Sequence, residues 1–284
     1  MGTTYTIKTT QPQKHLKSIV DARLAELEQI FSTWKHDSEL SMLNQVKPSE
    51  WVHVSDELFY LLSTSKLLYQ QTQGYFDPGI GNLIDLWGFG SKRVEYKPAR
   101  PDVEKQIVNN SIRYLELHNR RARKRTEFKL NLSAIAKGYA LDEVAKLITD
   151  KNFLIEIGGE VLASGRNHNQ QNWRIGIERP NNVSPIPITL ENEAIATSGN
   201  YRNYFIWEGE RYMHILSPKT GLPVKSDLAS VSVKHAKTML ADAYATAMMA
   251  MGASRASEFA KKMGLSAFLI LDQAHDNKII RINL

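Results

Sequence analysis

The chain has 284 residues, of which 42% are hydrophobic and 23% are charged. A chain of this composition buries a sizeable core, so disordered and fibrous classes are excluded. Basic residues outnumber acidic ones by 36 to 30, a net charge of +6 that suits an anionic ligand without requiring one. The absence of cysteine excludes disulfides, thiolate zinc sites and cysteine nucleophiles.

Apolar periodicity predicts the elements of the first half of the chain. We expect a strand over residues 1–9, a helix over 16–34, a polar loop over 35–44, and a second helix from Ser55 to Gly74. A hairpin is predicted with strands at 114–117 and 127–130. Its tip is the basic run 120–125, which no aromatic residue interrupts, so a solvated turn is favoured over a nucleic-acid or lipid patch.

The second half shows strands in runs, interrupted by helices. The predicted helices are 136–149, 238–251 and 255–263. The predicted strands are 153–157, 173–177, 186–190, 204–207 paired with 212–215, 229–233, 267–271 and 278–282. This order lacks a regular βαβ alternation and favours an α+β fold. No run of 18 apolar residues and no signal-peptide pattern occurs, so we expect no membrane span.

Asp242 and Thr246 lie four residues apart on a predicted helix, among small residues. A carboxylate and a hydroxyl on one helix face leave room for an ion, and hard oxygen ligands suit Mg²⁺. By spacing alone, an ordinary polar stripe is the more frequent explanation of such a pair.

Two small-residue segments permit close approach of a ligand. Gly158-Gly159 follows an apolar strand, and Thr197-Ser198-Gly199 follows another. Tight turns explain both equally well. Neither a spaced-glycine dinucleotide fingerprint nor a P-loop occurs, which disfavours those two nucleotide-binding classes.

His214 is placed at the end of a predicted strand, before a turn at Pro218 and Gly221. An imidazole there can act as a base in a cleft, although a lone histidine is more often structural. Asp77 and Asp85, near a Trp-Gly-Phe-Gly segment, are open to the same two interpretations.

Taken together, these segments resemble the ApbE family of FAD:protein FMN transferases, in the family's order from the first residue almost to the last. The segments that carry the resemblance are Met1-Gly2-Thr3-Thr4-Tyr5, Ser38-Glu39-Leu40-Ser41 with Leu43-Asn44, Phe76-Asp77 leading to Leu86-Trp87-Gly88-Phe89-Gly90, Leu132-Ser133-Ala134-Ile135-Ala136-Lys137-Gly138-Tyr139-Ala140, Glu156-Ile157-Gly158-Gly159-Glu160, Ala196-Thr197-Ser198-Gly199-Asn200-Tyr201-Arg202, the His214 segment, and Ala241-Asp242 with Ala245-Thr246.

The resemblance implies a single ApbE-like domain over residues 1–284. Its fold would be α+β and T-fold-like, with mixed antiparallel sheets, packed helices and a flavin cleft between subdomains. It implies a Mg²⁺-dependent enzyme that binds FAD and passes FMN to a Thr or Ser hydroxyl of a target protein, releasing AMP. An FAD pyrophosphatase that gives FMN and AMP is the first alternative, and a non-catalytic FAD-binding protein is the second.

The family's functional residues transfer to matching positions of this chain. The metal ligands fall on the side chains of Asp242 and Thr246 and on the main-chain carbonyl of Ala134. His214 is the best match to a catalytic base. The positions matched to contacts with the flavin dinucleotide, or to the lining of its pocket, are Met1, Trp34, Tyr75, Phe76, Asp77, Asn131, Lys137, Thr197, Ser198 and Leu216.

This chain departs from the family pattern at two positions. Ser217 and Asn131 stand where the family usually has aspartate. Losing two carboxylates lowers the negative charge of the pocket, which either weakens metal binding or favours the anionic donor.

The resemblance also suggests partners and a location. The partners would be FAD and acceptor proteins such as subunits of redox complexes, without nucleic acid. Membrane contact would come only through a lipid anchor that this chain lacks. We expect a precursor that is exported and lipid-anchored at the periplasmic face of the inner membrane, with this chain truncated. A cytoplasmic form is the alternative.

Overall fold

The computed structural model describes residues 2–91, 96–180, 184–200, 204–272 and 278–284. The chain forms two compact units. The first unit consists of Met1–Glu26, Ile135–Tyr201 and Ser226–Leu284, and the second consists of Leu27–Ala134 and Arg202–Lys225. Each unit is therefore built from separate stretches of chain.

Helices and strands alternate irregularly along the described residues. The helices are α1 (Leu16–Phe31), α2 (Glu39–Gln45), α3 (Asp56–Gln71), α4 (Gly81–Leu86), α5 (Arg100–Asn109), α6 (Ser133–Ala145), α7 (Thr238–Met251) and α8 (Ala253–Met263). The strands are β1 (Tyr5–Thr9), β2 (Val52–His53), β3 (Leu115–His118), β4 (Arg121–Lys124), β5 (Phe153–Ile157), β6 (Glu160–Ser164), β7 (Trp173–Ile177), β8 (Ile186–Leu190), β9 (Glu193–Gly199), β10 (Tyr204–Trp207), β11 (Glu210–Met213), β12 (Leu228–His235), β13 (Ser266–Leu271) and β14 (Ile279–Ile282).

The first unit is organised around one sheet. Within the described residues its strand order is β1-β5-β6-β9-β12-β13-β14, with every neighbouring pair antiparallel. On one face, Ile155 and Ile157 pack against Leu141 and Val144 of α6. On the other face, the β7–β8 hairpin covers a second apolar cluster that includes Ile195. This α+β arrangement of helices and antiparallel strands confirms the predicted fold class.

Sequence patterns located several elements of this unit to the residue. The predicted helix 238–251 and the predicted strands 153–157, 173–177 and 186–190 are confirmed. Gly158 and Gly159 form the two-residue turn between β5 and β6, both with positive φ. A turn of this kind follows the right-handed twist of the flanking strands and favours glycine. The segment 158–159 is therefore a hairpin turn.

The second unit contains a sheet of order β2-β4-β3, the β10–β11 hairpin, and helices α2 to α5. The predicted loop 35–44 is confirmed only as far as Ser38 and is wrong beyond it, because Ser38 caps α2 by accepting a hydrogen bond from the Ser41 N–H. Helices α4 and α5 were not predicted. In the part of the chain that the structure describes, no helix is long and apolar enough to cross a bilayer.

The basic run was wrongly placed at a hairpin tip. Its residues Arg121–Lys124 form β4, and the turn lies at Asn119 and Arg120, both with positive φ, so only the first residue of the run is in the turn. Because side chains alternate between the two faces of a strand, Lys124 points into the unit. Its ammonium donates to the carbonyls of Asn44 and Phe128 at 2.7 and 3.2 Å. The Arg123 guanidinium contacts Glu116 and lies 4.6 Å from the ring centroid of Trp51. Much of the basic run is therefore engaged in structural contacts.

Candidate active site

Helix α7 of the first unit carries both side chains singled out by their spacing. Asp242 is only 3% exposed, and Thr246 lies one turn further along. The Thr246 hydroxyl is 2.9 Å from the Ser198 hydroxyl on β9, the strand on which α7 packs. The i, i+4 spacing thus places a buried carboxylate and a partly buried hydroxyl on one helix face.

Helix α6 fixes the position of α7. A Cβ at Gly138 would come within 2.5 Å of the Thr238 carbonyl oxygen, so only glycine permits this approach. The Gly138 N–H donates to Asp242 Oδ2 at 3.1 Å. The Asp142 carboxylate accepts the N–H groups of Thr238 and Met239 at 2.8 and 3.0 Å, capping α7 from outside. Burial raises the pKa of Asp142, although these donors oppose the shift.

Lys137 lies between two buried carboxylates. Its ammonium contacts Glu160 Oε1 and is 4.0 Å from Asp242 Oδ1. Burial, and then the charge of Asp242, raise the pKa of Glu160 to about 7, while Lys137 acts in the opposite direction. Burial likewise raises the pKa of Asp242 against the effects of Lys137 and the Gly138 N–H. Although burial alone would lower it, the two carboxylates raise the pKa of Lys137.

Thr197 and Ser198 point to opposite faces of β9, as adjacent strand residues must. Ser198 meets Thr246, whereas the Thr197 hydroxyl lies 2.7 Å from that of Ser232 on β12. Of Thr197 and Ser198, the structure brings only Ser198 into contact with the pair on α7, through Thr246.

The side-chain oxygens of Asp242 and Thr246 on α7 suit a magnesium ion as ligands. Asp242 Oδ1 has no hydrogen-bond donor among the described residues, and Thr246 adds a second hard oxygen. In the described ranges, no group of three or more His, Cys, Asp and Glu side chains is arranged to hold a metal. An ion at α7 would therefore rely on one carboxylate, a hydroxyl, main-chain oxygen and substrate, a ligand set that Mg²⁺ accepts.

The second unit presents the aromatic residues of the predicted flavin contacts. Trp34, just after α1, is 66% exposed and free to stack on a ring. Tyr75 is partly buried, with the Lys219 ammonium 5.4 Å from its ring centroid. Phe76 is 2% exposed, so its ring belongs to the core and any ligand contact would come from its main chain.

Asp77 and Asn131 organise main-chain turns in this unit. Asp77 Oδ1 accepts the N–H groups of Gly79 and Ile112, both at 2.8 Å, and burial raises its pKa in spite of its hydrogen bonds. Asn131 Oδ1 accepts the Ser133 N–H at 2.9 Å, just before α6. An aspartate would form the same turn, so this local geometry does not require the family's carboxylate.

His214 follows β11 and opens a tight loop. Leu216 is buried and pairs with Pro223, and the Ser217 N–H donates to the Leu222 carbonyl at 2.8 Å. Gly221 has a φ of 66°, and its carbonyl accepts the Trp87 indole N–H at 2.8 Å. The ring centroid of Phe89 lies 6.4 Å from that of His214, edge-on.

The segment 86–90 therefore supports the loop that carries His214. Trp87 holds the loop at Gly221, and Phe89 lies against the imidazole. Ser217 contributes through its main chain, since its carbonyl also accepts the N–H groups of Thr220 and Gly221.

A family model, the ApbE family, matches residues 1–269. The chain belongs to the ApbE family. Among its ApbE relatives, the FAD:protein FMN transferase of Vibrio cholerae serotype O1 is 36% identical, over an alignment that covers 95% of this chain and 85% of the relative. The FAD:protein FMN transferase of Haemophilus influenzae is 32% identical, over an alignment that covers 95% of this chain and 84% of the relative.

A solved ApbE structure shares the fold. The flavin transferase ApbE from Vibrio cholerae superposes with a TM-score of 0.91 and 34% identity, covering 99% of this chain and 94% of that one. The predicted ApbE-like architecture is thereby confirmed.

For two predicted site residues of this ApbE-family chain, the structure shows little of their surroundings. Met1 lies outside the described residues. Ala134 is the second residue of α6 and belongs to the second unit. Its carbonyl remains a predicted ligand.

Sequence reasoning missed Glu160 and Asp142. Glu160 ends one of the quoted ApbE motifs, and a carboxylate directly after a glycine turn was a usable signal. Asp142 carried no signal, because its partners Thr238 and Met239 are distant in the chain.

Proposed function

We propose that this ApbE-family chain is a Mg²⁺-dependent FAD:protein FMN transferase that attaches FMN to a Thr or Ser hydroxyl of an acceptor protein and releases AMP. The enzyme class follows from family membership and from curated relatives aligned over 95% of the chain. The observation that carries the metal dependence is the buried Asp242 carboxylate, which has one oxygen open and a hydroxyl one turn away.

In the proposed reaction, the acceptor oxygen bonds to the phosphorus of the FMN half of FAD. The bond from that phosphorus to the bridging oxygen breaks, and AMP leaves with the oxygen. Asp242, Thr246 and the carbonyl of Ala134 would hold Mg²⁺. Bound there, the ion would neutralise charge on the pyrophosphate and on the leaving phosphate.

The remaining roles in the proposed reaction belong to Lys137, Trp34 and His214. The Lys137 ammonium, whose side chain is 33% exposed, adds positive charge for the donor phosphates. The exposed Trp34 ring offers a surface for stacking on the isoalloxazine. His214, which begins the tight loop after β11, takes the proton of the acceptor hydroxyl at a ring nitrogen.

A transfer assay tests the proposal. The protein is incubated with FAD, Mg²⁺ and an acceptor bearing a Thr flavinylation site, and denatured acceptor fluorescence is read in a gel alongside AMP. We expect a fluorescent band and AMP, both lost with chelator. Asp242→Asn should abolish the fluorescent band and AMP release, because it removes the only carboxylate among the proposed ligands. We expect this variant to remain folded. The exposed Asp102→Asn is the matched control.

Other results identify the alternatives. AMP without a fluorescent band would indicate the pyrophosphatase, in which water replaces the acceptor hydroxyl. Bound FAD without AMP would indicate a binding protein. Full activity of Asp242→Asn would contradict the metal assignment.

A further inference from the structure

Three charged groups from three different elements meet in the first unit. They are Lys137 on α6, Glu160 on β6 and Asp242 on α7. Glu160 is 1% exposed, and its Oε1 receives the Lys137 ammonium. Its Oε2 is buried and has no hydrogen-bond partner among the described residues. Burying a carboxylate this completely is costly, so an ordinary stabilising role explains it poorly.

The position of the ammonium decides whether Asp242 can bind a metal. Asp242 Oδ2 is taken by the Gly138 N–H, which leaves Oδ1. A lysine bonded directly to Oδ1 would occupy the oxygen that a divalent ion needs. At 4.0 Å, however, the ammonium is beyond hydrogen-bond length from Oδ1 and is bonded to Glu160 instead.

We propose that Glu160 is a positioning residue for the metal site, which holds the Lys137 ammonium away from Asp242 and so leaves Oδ1 available to a divalent cation. The identity of that cation as Mg²⁺ rests on the proposed function. When both carboxylates are ionised, they and the one ammonium leave one net negative charge, which favours a divalent ion at this point.

A second ion pair in the same unit provides the matched control. Lys234 and Glu193 lie 2.6 Å apart on strands β12 and β9. In the contacts of the described residues, neither touches Asp242 or Thr246. Glu193→Gln therefore removes a carboxylate from a Lys–Glu pair without touching the α7 donors.

The test measures Mn²⁺ binding to the full chain by electron paramagnetic resonance, without FAD. Asp242→Asn should remove the site. Glu160→Gln should weaken binding roughly tenfold, because Lys137 then moves onto Asp242. Glu193→Gln should bind as the wild type does.

A double-mutant cycle separates this role from a simple loss of charge. In a Lys137→Met background no ammonium competes for Asp242, so Glu160→Gln should weaken Mn²⁺ binding less than about threefold. Equal losses in both backgrounds would overturn the proposal, because Glu160 would then act without Lys137.

Three further results bear on the inference. Unchanged Mn²⁺ binding in Glu160→Gln overturns it. It is also overturned if the wild type does not bind Mn²⁺, or if its Mn²⁺ binding does not depend on Asp242. If Glu160→Gln does not fold, Lys137→Met alone decides: binding at least as tight as wild type supports the inference, and weaker binding overturns it. The proposed function fails separately, in the transfer assay of Asp242→Asn.

Discussion

Two buried aspartates and one half-buried aspartate have pKa values raised by burial, yet their surroundings assign them different roles. Asp77 and Asp142 each accept two main-chain N–H groups and hold a turn or a helix end in place. Asp242 accepts one, and its other oxygen stays open. An oxygen that accepts no hydrogen bond from the described residues, on a side chain only 3% exposed, suits a cation, so the hydrogen bonds of Asp242 favour a ligand role over a structural one.

At the same scale, His214→Ala should lower FMN transfer by roughly 10² to 10⁴. The reason is that the acceptor hydroxyl loses the group that takes its proton. FAD binding, followed by flavin fluorescence, should change little, and the exposed His168→Ala is the control. Equal transfer rates in His214→Ala and wild type would remove this histidine from the mechanism.

Residue spacing could predict only part of this site. Asp242 and Thr246 are one helical turn apart, so the pattern was visible in the sequence. Glu160 contacts Lys137 across a strand and a helix, and no local periodicity links those two positions. Ser198 and Thr197 were predicted together, but strand alternation sends them to opposite faces of the sheet.

Among the elements, the short helix α2 connects several segments of the second unit. Glu39 accepts the N–H and hydroxyl of Ser55, the N-cap of α3, at 2.5 and 2.6 Å. Ser41 donates to the Ser32 carbonyl at 3.1 Å. Asn44 both donates to and accepts from the main chain of Leu130, at 2.9 and 2.7 Å. The motif at 38–44 thus acts as a structural hub, one residue away from Asn131.

Asn44→Ala should destabilise the chain by about 1 to 3 kcal/mol, because the Leu130 main chain loses both partners. Urea unfolding of the full chain measures this. The adjacent, exposed Gln45→Ala should have little effect. Equal midpoints for the two variants would show that the Asn44 clamp contributes nothing to stability.

Sequence patterns located long apolar elements well and short polar ones poorly. Helix α7 was predicted to the residue, since its apolar run ends at Gly252. Helix α2 is only seven residues long and depends on its Ser38 cap and the contacts of its side chains. Strand β4 carries Arg and Lys at three of its four positions, and pairing with β3 and β2 outweighs that composition.

For the molecule as a whole, the division into two units could not be read from the sequence. The boundaries near Glu26, Ile135, Tyr201 and Ser226 carry no linker composition. The first boundary falls inside α1 and the second inside α6, so continuous helices run through them. Linker signals mark domains joined end to end, whereas here the chain leaves the first unit and returns to it.

Ligand binding should raise the stability of the whole chain. FAD at about 100 times its Kd should add about 2.7 kcal/mol, because it binds the folded state alone. Mg²⁺ should add a further increment that Asp242→Asn lacks and Asp102→Asn retains. Thermal unfolding with and without each ligand measures both effects. The same Mg²⁺ increment in Asp242→Asn would place the ion elsewhere.

The order of strands in the large sheet also sets an order of events during protein synthesis. Strand β1 is made first, but its partner β5 follows only after the whole segment Leu27–Ala134 has been made. Because β1 is an edge strand, the inner strands can pair without it. Strand β1 therefore has no partner in this sheet until β5 has been made, so it can join the sheet only late. Over that interval its main-chain N–H and C=O groups are open to pairing with other exposed strand edges.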